Sequence, residues 1–77
     1  MLKIGDFSRI SQVSIKTLHF YDQLELFKPA HIDSESGYRF YTLSQLPQLN
    51  RIVALKDMGL SLEQIGLLLN EALSAEE

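Results

Sequence analysis

Ser14-Ile15-Lys16-Thr17-Leu18-His19-Phe20-Tyr21-Asp22, followed after Lys28 by Gly37-Tyr38-Arg39-Phe40-Tyr41, is the stretch whose reading decides the fold. Ser14 is a suitable N-cap, because its hydroxyl can accept an otherwise unpaired N–H of the first helical turn. In the helix that it starts, each residue turns by about 100°. Ile15, Leu18 and Tyr21 therefore fall on one side, Lys16, Phe20 and Gln23 on the other, with Thr17 and His19 on the flanks. The apolar side seats the helix and leaves the polar side to a partner. The helix ends near Gln23 or Leu24.

Upstream, Ile4, Phe7 and Ile10 recur every three positions, which predicts a short helix running to about Ser11. Gln12 and Val13 then make a tight turn, so residues 1–27 read as a helix-turn-helix. Downstream, Pro29 stops any helix and Tyr38 to Tyr41 has strand propensity. Asp33-Ser34-Glu35-Ser36-Gly37 between them fits a hairpin loop, making 28–41 a candidate wing.

Thr42 to Gln45 and Ser61 to Gln64 both match the capping-box pattern. Each is preceded by an apolar residue, Tyr41 or Leu60, that can staple onto Leu46 or Ile65. Helices over about 43–58 and 62–73 follow, with Gly59 placed as a left-handed residue closing the first. Pro47 lacks the N–H that would bond the Leu43 carbonyl, so the first turn is loose or the helix begins nearer Ser44. The expected fold is all-α with a small β-hairpin wing: a winged helix-turn-helix followed by a second helix pair at 42–73.

At 77 residues, 45% hydrophobic and 22% charged, the chain is one small globular domain without room for a second core. The absence of cysteine excludes disulfides and thiolate metal sites within it. His19 and His31 have no partner at ligand spacing, so no metal site is expected. The acidic pairs Asp33/Glu35 and Asp22/Glu25 lack the convergent groups of a carboxylate active site, and the four glycines stand singly. Neither an enzyme nor a cofactor is expected. No stretch nears the roughly 18 apolar residues of a membrane span. The chain therefore reads as cytoplasmic.

The net charge of −3 argues at first against a polyanion partner, but the charge is segregated. Residues 1–56 hold all seven bases against five acids, a net +2, whereas 57–77 hold five acids and no base, a net −5. One end can meet DNA while the other points away.

Lys16 and Thr17 occupy the first turn of the second helix, the part that a recognition helix pushes deepest into the major groove. Ser14, at the helix N-terminus, can cap the helix and also receive a phosphate oxygen. Phe20 packs on the wing or a neighbouring helix, or it meets a sugar-phosphate edge. In the hairpin, Arg39 and Tyr41 share one face and Tyr38 and Phe40 the other, so one pair packs and the other is exposed. Arg39 is a DNA-contacting candidate, with a surface salt bridge to Glu35 or Asp33 as the plainer alternative.

Ile4-Gly5-Asp6-Phe7, Val13 to Asp22, Leu26-Phe27-Lys28-Pro29, Gly37 to Tyr41 and Ile52 to Ile65 together closely resemble the N-terminal DNA-binding domain of MerR-family transcription regulators. The resemblance covers essentially the whole chain. It implies a homodimer that binds and distorts double-stranded promoter DNA, realigning it for RNA polymerase when an effector is sensed elsewhere. It assigns Ser14, Lys16, Thr17, His19 and Phe20 to the recognition helix, Tyr38 and Arg39 to the wing, and Lys56 to a helix end that touches phosphate.

Three residues depart from the family pattern. His19 stands for the usual Arg, Phe20 for the usual Tyr, and Gln12 for the Gly or Asn common in the turn. Family members continue into a dimerisation helix and an effector domain, so a chain ending at Glu77 is expected to be part of a longer protein. By analogy that protein senses a small molecule or drug. The alternative of another class is a protein-interaction adaptor or anti-activator, using the Lys16–Phe20 face and the leucine stripe from Leu60 to Leu73.

Overall fold

A computed structural model describes the backbone of residues 1–76 and the side chains of residues 1–70. The elements in order are β1 (Leu2–Lys3), α1 (Ile4–Ser11), α2 (Ile15–Gln23), β2 (His31–Ile32), β3 (Arg39–Tyr41), α3 (Leu46–Asp57) and α4 (Leu62–Glu76). A single 3-10 turn, Leu43–Gln45, leads into α3. The winged helix-turn-helix and the second helix pair are both present.

Ser14 caps α2 as its sequence requires, its Oγ accepting the Thr17 N–H at 3.1 Å. In the turn before it, Gln12 is left-handed (φ 63°), a conformation that a non-glycine residue adopts at a cost of roughly 1 kcal/mol. The turn is held by side chains: Ser8 Oγ donates to the Val13 carbonyl (2.6 Å) and Gln12 Nε2 to the Arg9 carbonyl (3.2 Å). The inward stripes are narrower than expected. Leu18 and Tyr21 are buried, but Ile15 and Ile10 are exposed, because both helices have only one or two turns facing the core.

The wing is a three-stranded antiparallel sheet rather than a bare hairpin, with β3 in the centre. Leu2 pairs with Tyr41 across β1 and β3, and Ile32 with Arg39 across β2 and β3. The loop before β3 closes as expected. Asp33 accepts the Ser36 N–H (3.1 Å) and hydroxyl (2.6 Å), and Gly37 supplies a left-handed residue at φ 76°. These hydrogen bonds hold the Asp33 carboxyl below its ordinary value.

Pro47 resolves the start of the second helix pair. The Thr42 N–H donates to Gln45 Oε1 (3.0 Å), but only a 3-10 turn forms from Leu43, and the α-helix begins at Leu46 with Pro47 in its first turn, where no N–H is needed. Gly59 (φ 99°) closes α3 with the Gly59 N–H on the Lys56 carbonyl and the Leu60 N–H on the Leu55 carbonyl. Ser61 and Gln64 form the full capping box, at 3.1 and 2.9 Å, and α4 continues to Glu76, three residues beyond the expected end. The Leu73 end of the leucine stripe lies outside the described side chains.

One core joins the two halves: Phe7, Leu18, Tyr21, Phe27, Tyr41, Leu49, Ile52 and Ile65 are all buried. At its centre the rings of Phe7 and Tyr41 stack at 4.6 Å, and Phe27 stacks on Tyr41 at 5.8 Å. Such pairs add about 0.5–1.5 kcal/mol each to the area that they bury. They tie α1 and the loop after α2 to the central strand of the wing.

Candidate nucleic-acid interface

The first turn of α2 is open. Ser14 Oγ accepts the Thr17 N–H and gives its own proton to Thr17 Oγ1 (2.8 Å), so the hydroxyl proton offered outward is that of Thr17. Helix geometry leaves the N–H groups of Ile15 and Lys16 without intrahelical partners. Lys16 is exposed and, among the described residues, carries no ion pair. Two free amide donors, one hydroxyl and one ammonium thus surround a helix N-terminus, whose partial positive charge adds to theirs.

His19 is half-buried and Phe20 is 47% exposed. Phe20 lines an open groove of about 710 Å³ with Leu24 and Leu26 beyond α2 and Leu62, Gly66 and Leu69 of α4. Of the two packing partners weighed for it, the neighbouring helix is the one at hand.

In the wing the packed and exposed pairs are now distinct. Tyr41 is buried and Tyr38 is 57% exposed, with Lys3 Nζ lying 5.2 Å from the centre of its ring. Arg39 shares the inward side of β3 with Tyr41, and so its ion pair is not with Glu35 or Asp33. Its Nε donates instead to Asp22 Oδ2 of α2, at 2.9 Å. Lys3, Arg9, Tyr38 and Arg39 line a cleft of about 400 Å³ between α1 and the wing. Lys56 is exposed in the last turn of α3, where its charge suits the helix C-terminus.

Two contacts that position this face had no local sequence signal. Gln45 Nε2 donates to the Lys28 carbonyl (2.7 Å) across 17 residues, bracing the segment that leads into the wing against the start of α3. The Arg39–Asp22 pair spans the same separation and joins the wing to α2. The Tyr41 side chain makes no polar contact among the described residues. Its hydroxyl is buried without a partner, and burial, with the Asp22 charge nearby, pushes its pKa up to about 12. No group of three or more His, Asp or Glu able to hold a metal occurs among the described residues, and no helix there is long and apolar enough to cross a membrane.

A family model described as MerR HTH family regulatory protein matches residues 2–72. The chain belongs to the MerR family. Over 62 residues it is 48% identical to the multidrug-efflux transporter 1 regulator of Bacillus subtilis (strain 168), covering 80% of this chain and 22% of that one. Over 65 residues it is 48% identical to the transcriptional regulator BrlR of Pseudomonas aeruginosa, covering 84% and 24%. The chain thus spans about a quarter of the length of these MerR-family regulators.

Among solved structures, the fold matches EcmrR in a cryo-EM structure of the EcmrR–DNA complex in EcmrR-RPo. The TM-score is 0.88 and the identity 41%, with 91% of this chain and 26% of that one covered. It also matches the crystal structure of MtaN, the N-terminus of the Bacillus subtilis multidrug transporter activator. There the TM-score is 0.80 and the identity 36%, covering 90% of this chain and 64% of that one. The family and these relatives are regulators of transcription, not enzymes.

Proposed function

We propose that this MerR-family domain binds double-stranded promoter DNA. The first turn of α2 enters the major groove, and Tyr38 and Arg39 of the wing lie along the adjoining backbone. The observation that carries the reading is the open α2 N-terminus, where Lys16 is exposed without an ion pair beside unbonded amides and the Thr17 hydroxyl. Ser14 supports this turn as its cap, His19 and Phe20 follow on the same helix, and Lys56 reaches a phosphate from the end of α3. Because EcmrR was solved on DNA within a complex named EcmrR-RPo, the same reading extends to RNA polymerase as a partner at the promoter.

In the whole protein the domain acts as a cytoplasmic homodimer. Two half-sites about 34–36 Å apart are then read together, and an effector bound outside this chain alters the DNA. The adaptor reading is not favoured, since the family and relatives are transcription regulators. Binding of the 77-residue chain to duplex DNA across a salt series tests the proposal. Affinity should fall with salt, and Lys16→Ala should lower the slope by about 0.9 if Lys16 meets a phosphate. Binding by Lys16→Ala with unchanged affinity and slope would place the contact elsewhere.

A further inference from the structure

The only ion pair among the described residues that joins two elements distant in sequence is Asp22–Arg39; the other two, Arg9–Asp6 and Lys28–Glu25, are exposed pairs three residues apart. Asp22 sits in the last turn of α2 with its side chain only 15% exposed, and Arg39 lies on β3 with 31% exposed. The carboxylate takes the Arg39 Nε–H, the inner edge of the guanidinium. A guanidinium is planar and carries five N–H donors, so four remain on the two Nη atoms at its outer end. Arg39 also lines the cleft shared by Lys3, Asp6, Arg9 and Tyr38.

We propose that Asp22 is a positioning residue for DNA recognition: by holding Arg39 at Nε, it fixes the wing on the recognition helix and aims the Nη fork at a phosphate. The inference rests on the DNA-binding reading above. Without the carboxylate, the arginine stem regains its rotamer freedom, and the fork must be ordered anew each time DNA binds. Long-range electrostatics works in the opposite direction. Removing an anion near the polyanion should tighten binding, so the sign of the effect separates positioning from simple charge.

The test uses the 77-residue chain and a duplex selected on it from a random-sequence library, with affinity measured over a salt series. Asp22→Ala should weaken binding roughly tenfold, as for loss of one charge-assisted hydrogen bond. Asp22→Asn, which keeps an oxygen for the Nε–H, should recover most of the loss. Adding Asp22→Ala to Arg39→Ala should weaken binding no further. Arg39→Lys, which keeps the charge but has no Nε–H to give Asp22, should weaken binding several-fold, and this arm stands even if Asp22→Ala does not fold.

Equal or tighter binding by a folded Asp22→Ala variant, or wild-type binding by Arg39→Lys, would overturn the positioning role alone. An absence of salt-dependent binding by the wild-type chain would overturn the DNA-binding reading with it.

Discussion

At the end of α3, Gly59 supplies the left-handed residue that closes the helix, whereas at the end of α2 the same turn is built on Glu25. The bonds are equivalent: the Leu60 N–H reaches the Leu55 carbonyl, and the Leu26 N–H reaches the Tyr21 carbonyl at 2.9 Å. The difference extends through the two halves. From Thr42 onward, helix ends are satisfied by residues chosen for those positions, such as the Ser61–Gln64 box and Gly59. In residues 1–41 the chain accepts left-handed Gln12 and Glu25, a buried Tyr41 hydroxyl without a partner among the described residues, and a polar contact between Arg39 and Asp22, 17 residues apart. The half that follows local rules is the acidic one. The half that departs from them carries all of the proposed DNA face except Lys56, and there the geometry of the surface weighs against local stability.

Three measurements can break or sharpen this contrast. The largest effect concerns Tyr41. Its pKa is raised from the ordinary 10.0 to about 12, so the neutral form is favoured in the folded state. The resulting stability is fully present below pH 10 and is lost as the pH climbs through about 12, a change of about 3 kcal/mol. Denaturant titrations between these values should show the loss in wild type. Tyr41→Phe should flatten it while remaining at least as stable at neutral pH, since no hydrogen bond is removed. A clearly less stable Tyr41→Phe variant would mean that the hydroxyl has a partner.

Next comes Gly59→Ala. No atom lies within 4 Å of the added Cβ, so only the left-handed backbone opposes it, and a loss of about 1–2 kcal/mol is expected in thermal melts. The mirror change, Glu25→Gly, should stabilise by about 0.5–1 kcal/mol. It sacrifices only the exposed Lys28–Glu25 pair at 3.3 Å, which is worth little. If Glu25→Gly destabilises the fold, Glu25 has a structural role that its exposure conceals.

The contrast also explains what the sequence reveals. Ser14, Ser61, Gly59 and the Asp33–Gly37 loop act through bonds to near neighbours, and each is legible as written. Pro47 announced an interruption, although only the folded chain places the 3-10 turn at 43–45. β1 escapes notice because two residues, Leu2 and Lys3, are too few to show alternation, and they become a strand only when β3 is there to pair with. Ile10 and Ile15 fit the apolar period yet lie beyond the reach of a small core. Alternation in β3 makes two faces without saying which is inward. That choice is made by the stack of Tyr41 with Phe7 and Phe27, and it sends Arg39 to Asp22. Of the candidate site, Lys16 could be placed on an outward position from periodicity alone, with Thr17 on the flank. The contacts that orient Arg39 could not.

Amide chemical-shift mapping of the 77-residue chain titrated with duplex DNA tests most directly whether the irregular half is the one that meets DNA. Shifts concentrated at residues 14–20, 38–39 and 56, with 62–70 nearly unmoved and the whole response fading as salt is raised, are the expected result. Shifts centred on 62–70, or no salt-sensitive response at 14–20, would contradict it.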